Sequence, residues 1–536
     1  MENTTMPKIS HSEEPNSVDA RPLSPTSRIT VSALSDSTVL DCDVIVVGAG
    51  PAGLSVASRL ARDHRVIVID AKAPPARGNA RLQAMADPIG TIDSARIHRT
   101  WFCPHDCLYD NPELLHCRRS HGVTRFLAKT YSGPQAHNPD VFDLCWESQL
   151  FPQAPAIDRY PYLDEYKLIA HWEQTIFDSS SSSIRGGLLY QDHAVRPDHV
   201  EVRFIASELD ESAPTVYRAK LLLDASGHDS DIRKAYTDGQ SDVYWWSVFG
   251  AICSHPDGDI VDHPTPGHPL VVGDYMLWQT FASTNAEPET PVRRGRPIFE
   301  YEILDRNTSF PLILYLRPHK MSMEHAKAEF LRIMKQEEAT RGFARAEIKE
   351  FKFGHYPSGR VHRSFAQDRV DFIGDAGLWT TPCGWGTSFI LKNFAPYSDR
   401  VGELIREDRL DRKSLRRLSR GHVKRAEFLM NSIITRFLSY GTAEQLDRFI
   451  GLFRKVDPVI CERIFTLRAE PRDLLRFVAA AKGDLPFSAL WRSMPRHERA
   501  SIALDVCRTV TQFVREEVSR SFGRTIERGF DVFRES

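Results

Sequence analysis

The sequence predicts an α/β fold, and three stretches predict it. An apolar strand at 43–47 runs into a Gly-x-Gly-x-x-Gly turn and a helical pattern. A strand at 221–224 ends in a small-residue turn, and a strand at 370–373 ends in another. Short β-branched runs of this kind mark strands buried on both faces, as in a parallel sheet. The three lie far apart in the chain, so the Rossmann-like three-layer domain they build is discontinuous: 41–90 with 221–235 and 365–395. A second, mixed-sheet domain fills 91–220 and 236–364, an α-helical region covers 396–536, and 1–40, rich in Ser, Thr and Pro, reads as a disordered tail.

In the first element, Asp43–Val47 is the strand, Gly48-Ala-Gly50-Pro51-Ala52-Gly53 the turn, and Leu54, Ala57, Leu60 and Ala61 the helical stripe. A second strand, Val66–Ile69, ends at Asp70, an acid 20 residues after Gly50. Between a strand and a helix this motif has a mechanical meaning. Gly48 permits the tight turn, Gly50 lets the backbone approach a pyrophosphate, and Gly53 allows close helix–strand packing. The helix N-terminus then offers N–H groups and a positive dipole end to the phosphates, and Asp70 accepts from a ribose diol.

Two later segments decide between cofactors. Leu221-Leu-Leu-Asp224-Ala-Ser-Gly227 is the second strand and turn, and Val370-Asp-Phe-Ile-Gly374-Asp375-Ala-Gly377 the third. Pro382-Cys-Gly384-Trp-Gly386-Thr387-Ser388 follows, with a helical start at Phe389–Leu391. In this order and spacing the trio resembles the glutathione-reductase-type FAD fold of flavin monooxygenases, halogenases and lycopene cyclases. The resemblance implies FAD, with Asp375 near its ribityl or pyrophosphate region and the 382–388 turn setting a helix N-terminus against the flavin pyrimidine ring. A positive dipole end there stabilises negative charge on reduced flavin.

Within that superfamily the middle and end are similar to lycopene cyclases, through Phe249–Ile252, Gly273–Met276, Phe299–Ile303, Tyr356–Gly359 and the 446–477 stretch. Those enzymes carry a Phe-Leu-Glu-Glu-Thr strand whose acid handles the proton. The equivalent here, Phe310-Pro-Leu-Ile-Leu-Tyr-Leu316, has no carboxylate. Glu300 and Glu302, at i and i+2 on the preceding strand, share one face. Facing the flavin, one of them is a relocated general acid; facing outward, both are solvated strand charges. His355 is either a proton shuttle near the flavin or a surface turn residue. Trp245, Trp246, Trp278, Trp385 and Phe389 wall a pocket for an apolar or aromatic substrate, or are ordinary core. The halogenase segment Trp-x-Trp-x-Ile-Pro is missing, and so is a second Gly-rich nucleotide motif. Reducing equivalents therefore come from transient NAD(P)H binding or a separate flavin reductase.

Composition bounds the remaining classes. With 536 residues, 41% hydrophobic and 26% charged, the bulk is neither disordered, collagen-like nor repetitive. Sixty-nine basic against 71 acidic side chains, a net charge of −2, exclude a dedicated nucleic-acid binder. That average conceals an asymmetry: residues 1–399 carry 41 basic and 52 acidic side chains, and 400–536 carry 28 and 19. The segment 412–425 is strongly basic, with Leu415, Leu418 and Val423 lending weak amphipathic character, so 400–536 is expected either to contact a membrane surface or acidic partner, or to be a solvated face. Nine cysteines, an odd and scattered set, point to reduced thiols. Cys103 and Cys107 with His116, Cys117 and His121 supply only half of a zinc pattern, so no metal is expected. No run reaches the ~20 apolar residues of a membrane span. The first 40 residues lack an apolar signal core and carry Glu13, Glu14, Asp19 and Asp36, so the expected location is cytoplasmic, peripheral to a membrane in the alternative.

The sequence thus predicts an FAD-dependent oxidoreductase of monooxygenase type acting on an apolar small molecule such as a prenyl, polyene or aromatic intermediate. The alternatives are a non-redox cyclase using reduced FAD and a non-enzymatic FAD-fold escort protein.

Overall fold

The computed structural model describes residues 39–72, 111–122, 125–130, 140–143, 161–206, 214–237, 243–255, 264–265, 268–269, 273–279, 298–304, 306–317, 319–341, 347–359, 365–379, 386–421, 443–465, 469–481 and parts of 433–441 and 491–511. The stretch 1–38 of the expected tail lies outside them. Two seven-stranded sheets organise the described residues. The first holds β1 (Leu40–Val47), β2 (Val66–Asp70), β7 (Ser183–Gly186), β8 (Leu189–Val195), β9 (Val200–Ile205), β10 (Thr215–Asp224) and β18 (Val370–Phe372). Their order is β7-β2-β1-β10-β9-β8, and β10 shares its outer edge: Thr215–Ala219 pair antiparallel with β9, and Leu222–Asp224 parallel with β18.

The apolar run that reads as a doubly buried strand is one. Val44 and Val46 join the cluster formed with helices α1 (Pro51–Leu60), α2 (Glu165–Asp178) and α5 (Gly386–Arg406). Ile45 and Val47 join the opposite cluster, with Phe204, Tyr217 and Ile232 of α3 (Asp231–Thr237). Helix α1 is held against α5 by Arg59, which donates to both Asp399 oxygens at 2.8 and 2.9 Å. The 183–205 stretch, expected in the second domain, hydrogen-bonds into this first sheet instead. Its strands are short and antiparallel, and β9 alternates buried and exposed residues, so it reads as a half-buried meander with nothing local to say which sheet it joins.

The second sheet holds β4 (Arg125–Thr130), β5 (Asp140–Asp143), β11 (Val243–Ser254), β14 (Asp274–Gln279), β15 (Ile298–Ile303), β16 (Thr308–Arg317) and β17 (Glu347–Gly359), in the order β17-β11-β16-β15-β14-β4-β5. One face, with Phe249, Phe299, Tyr301 and Ile313, packs on α4 (Met323–Arg341) through Phe330 and Ile333. The other face, with Trp246, Leu312, Leu314 and Leu316, belongs to the main core. Two ladders complete the strands, β3 (Arg118–Gly122) with β6 (Pro161–Leu163) and β12 (Pro264–Thr265) with β13 (His268–Pro269).

The helical region expected over 396–536 begins within α5, which starts earlier at Gly386, and continues with α6 (Arg412–Gly421), α7 (Ala443–Leu452), α8 (Pro458–Phe465) and α9 (Pro471–Ala481). Leu415 and Leu418 of the basic segment are buried in the main core, so the apolar side of α6 is covered by protein, while Arg412, Lys413 and Arg417 stay exposed; Val423 lies outside the described residues. A buried polar network docks this region on the second sheet. Arg436 donates to Glu498 at 2.8 Å, Glu498 accepts from Tyr244 of β11 at 2.8 Å, and Tyr244 shares a 2.8 Å bond with Tyr440. Among the described residues no helix is long and apolar enough to cross a membrane. Cys103 and Cys107 lie outside them, and the Cys117 thiol is buried and pushed up to about 12 by desolvation.

Gly53 is a tight packing constraint, since an added Cβ would lie 2.0 Å from the Gly48 carbonyl oxygen. Backbone cannot yield as a side chain tip can, so α1 must lift off β1. Gly53→Ala is expected to lower the free energy of unfolding by about 3 kcal/mol. Gly354→Ala on β17, where a Cβ meets nothing within 4 Å, should change it by less than about 0.5 kcal/mol. Urea titration of the two variants checks the contrast.

Candidate active site

Strand register brings the three predicted segments to one edge. Val47 pairs with Asp224 and Asp224 with Phe372, so β1, β10 and β18 end level and their turns emerge side by side. In open α/β sheets this carboxyl edge is where ligands bind. Backbone bonds tie the turns together: Ala225 N–H donates to Val47 at 2.8 Å, and Ile373 N–H to Asp224 at 2.9 Å.

The first turn is shaped by what its glycines leave room for. Gly48 has φ +102°, and a Cβ there would lie 2.3 Å from the Ala225 carbonyl oxygen. At Gly50, the N-cap of α1, a Cβ would meet nothing within 4 Å, although φ −75° and ψ −178° suit any residue. Two of the three motif glycines are therefore needed for packing, and the space in front of the third is open. Pro51 opens α1, whose first internal bond is Leu54 N–H to Gly50 at 2.9 Å, so the N–H groups of Ala52 and Gly53 precede the ladder at the helix's positive end. Asp70, ending β2, accepts from Ala49 N–H at 2.7 Å and Lys72 N–H at 2.8 Å, which holds its carboxylate beside the turn.

The second turn carries machinery that the motif reading missed. Asp224 is fully buried, accepting from Ser226 N–H at 3.0 Å and Ser226 Oγ at 2.6 Å, and also from Ser230 Oγ. Ser230 caps α3 by accepting from Arg233 N–H at 2.9 Å. The Arg233 guanidinium donates to the carbonyls of Asp375 and Ala376, each at 3.2 Å, and to that of His228. One buried arginine thus clamps the third turn to the second. The signal was Ser-x-x-Arg after a strand-ending acid, which reads as a helix start; that its arginine reaches a segment 142 residues on is visible only in the fold. Gly227 adopts φ +94° in this turn.

In the third turn Gly374 has φ +59°, and a Cβ there would lie 2.6 Å from the Ala52 Cβ, so the turn presses on the first turn of α1. Burial raises the Asp375 carboxyl to about 6, with the Arg233 charge opposing. On β18, Asp371 is fully buried, accepting from Phe372 N–H at 2.9 Å and Tyr397 Oη at 2.8 Å. Desolvation lifts it to about 7. Gly386 and Thr387 open α5, while Pro382, Gly384 and Trp385 lie outside the described residues. Phe389 of α5 and Trp246 of β11 join the main core; Trp245 packs with Leu378, beyond the third turn. Of Trp278 only the backbone, in β14, is described.

The structure does not bring the three catalytic candidates together. Glu300 and Glu302 are 7% and 0% exposed, which removes the solvated reading. They pair across strands with Leu312 and Phe310, on the face of Trp246 and Leu314, and Tyr162 Oη donates to Glu302 at 3.5 Å. His355 pairs with Ser247, on the face turned to α4, and its Nδ1 lies 3.0 Å from Ser247 Oγ. It is half-buried rather than a surface residue, with its pKa lowered by burial and then by the Lys320 charge. The thickness of the sheet separates it from the glutamates, so no proton passes directly between them.

Residues 46–87 match the family model of an NAD(P)-binding Rossmann-like domain. No curated protein matches the sequence. Among solved structures, the fold is similar to a geranylgeranyl bacteriochlorophyll reductase-like protein from Thermoplasma acidophilum, at 12% identity over 84% of this chain and 100% of that one, with a TM-score of 0.55. It is similar to halogenase PltM in complex with phloroglucinol and FAD, at 13% identity over 88% and 96%, TM-score 0.52. It is also similar to p-nitrophenol 4-monooxygenase PnpA from Pseudomonas putida DLL-E4, at 15% identity over 82% and 99%, TM-score 0.50. At these identities what is shared is the fold alone.

The Asp371 carboxyl yields a pH prediction. Between the ordinary 3.8 and about 7 the folded protein holds a proton that the unfolded chain has released, so this group's contribution is full below 3.8 and lost as pH rises through about 7. Asp371→Asn removes that loss. Its unfolding free energy relative to the parent should climb by about 2–4 kcal/mol from pH 4 to pH 7 and then level off. A difference that stays flat over that range, measured by denaturant titration, would show that Asp371 ionises normally.

Proposed function

We propose that the chain is an FAD-dependent oxidoreductase of monooxygenase type acting on an apolar small molecule. The observation that carries this is the convergence of three turns at one sheet edge around the open approach to Gly50, with the positive end of α1 behind it. The residues fit FAD in sequence along its length. Asp70 would take the ribose diol, the 48–53 turn the pyrophosphate, Asp375 the ribityl stretch, and the N-terminus of α5 the flavin ring. When bound, FAD supplies two-electron redox chemistry and, once reduced, the means of activating O₂. Electrons would come from NAD(P)H visiting transiently or from a separate reductase.

The chain's own residues divide the remaining work. Arg233 holds the Asp375 turn in place through two carbonyls. Trp246, Leu312, Leu314 and Leu316 bury the other face of the second sheet in the main core and exclude water from it. The fold shared with a halogenase does not extend the proposal to halogenation, because the Trp-x-Trp-x-Ile-Pro segment is missing.

One observation favours a second reading, a non-redox cyclase of lycopene cyclase type. Glu300 lies directly across from Leu312, on the strand where those cyclases carry their acid. A carboxyl one strand over, on the same buried face, stands at about 5 Å from that position.

Measurements on cofactor and product separate the readings. In the FAD-free state Gly50→Val should melt within a few degrees of the FAD-free parent, the small loss being that of a glycine N-cap, and it should lose at least about 100-fold in FAD affinity, since its side chain fills the phosphate approach. Purified protein that shows no flavin absorbance and takes up no added FAD would leave only the escort function. With ¹⁸O₂, label in the product identifies a monooxygenase, whereas a cyclase product keeps the substrate mass. Glu300→Gln and Glu302→Gln should slow a cyclase at least about 100-fold and leave a monooxygenase within about fivefold.

A further inference from the structure

The C-terminal region sorts its charges by burial, and this sorting indicates what it meets. On α9, Asp473, Leu474 and Phe477 face inward: Phe477 packs on Phe449 and Phe453, and Asp473 accepts from Arg463 at 3.2 Å and from Glu470 N–H at 2.9 Å. Arg472, Leu475, Arg476 and Ala479, at i, i+3, i+4 and i+7, form the outward stripe. Leu475 is 58% exposed and Val478 beside it 40%. The segment after it repeats the pattern. Glu498 is buried against Arg436, while Trp491, Arg492, Arg496 and His497 face outward. Among the described residues the exposed acid near the stripe is Glu470, which precedes the helix.

A solvated helix face would carry both signs of charge and few large apolar residues. Here the described acids, Asp473 of the helix and Glu498 of the following segment, point inward, and what faces out among the described residues is arginine interleaved with Leu, Val and Trp. That combination complements a surface that is negative at its rim and apolar just beneath it. The basic helix α6 does not supply this, because its leucines are already buried.

We propose that the outward face of α9, with the Trp491–Arg496 segment, docks on an anionic lipid bilayer, arginines at the headgroups and Leu475, Val478 and Trp491 in the interfacial layer. The chain would then rest on the membrane without crossing it, at the phase in which an apolar substrate concentrates. This docking is independent of which chemistry the flavin site performs.

The test is co-sedimentation of the full chain with vesicles of phosphatidylcholine alone or with about 30% phosphatidylserine. The bound fraction should be several-fold higher on the anionic vesicles and fall steeply with added salt. Charge reversal in R476E/R496E should lower the partition coefficient about tenfold or more, and Leu475→Ser about threefold. All three positions are exposed, so melting temperature and flavin content should match the parent, and they are measured alongside. Equal binding to both vesicle types, no pelleting of the parent, or parent-like pelleting of R476E/R496E would each overturn the proposal. If the parent ignores vesicles and instead binds an acidic polypeptide such as polyglutamate, and R476E/R496E does not, the proposal is overturned in favour of an acidic protein partner.

Discussion

The level ending of β1, β10 and β18 is the constraint on which the rest of the site depends. Parallel pairing of Val47 with Asp224 and of Asp224 with Phe372 means that three chain segments, far apart in sequence, turn away from the sheet at the same height. Such close turns demand small residues at their contacts. Gly48 accommodates the Ala225 carbonyl, Gly53 the Gly48 carbonyl, and Gly374 the side chain of Ala52. Each of these glycines is explained by a neighbour in another turn or in the helix. Gly50 is not, and the space in front of it is open.

Around that edge the polar groups form a hierarchy. Asp224 is buried and satisfied by two serines, one of which starts the helix that carries Arg233. Arg233 in turn fixes the peptide of Asp375. A buried guanidinium paired with carbonyls gains direction rather than much net energy, because its desolvation cost is large. Its value is that the Asp375 turn has one geometry. The second sheet shows a comparable division between its faces. One packs on α4 and carries His355; the other is apolar and carries Glu300 and Glu302. The C-terminal region is anchored to this sheet through Tyr244, Glu498 and Arg436.

Much of this was legible in the residues. The strand–glycine–helix pattern at 43–61, the acid at 70 and the two later strand-and-turn segments all lie where local physics puts them, because hydrophobic period and glycine placement are properties of a few consecutive residues. Glu300 and Glu302 were correctly read as sharing a face, since alternation in a strand is local. Which face, and what covers it, was not. The same limit misplaced 183–205: a short antiparallel meander carries no mark of the sheet that will accept it. It also hid Arg233, whose partners are far along the chain.

By itself, then, the sequence determined the α/β class, the dinucleotide-type turn at the end of the first strand, and the helical C-terminal region with its surplus of basic residues. Tertiary structure decided three further things: that the glutamate pair is buried, that His355 stands on the opposite side of the sheet from it, and that Leu415 and Leu418 of the basic helix α6 turn inward while Leu475 of α9 turns out. The physical reason is the same in each case. Period and propensity act over one or two turns of chain, whereas burial is decided by which distant element arrives to cover a face.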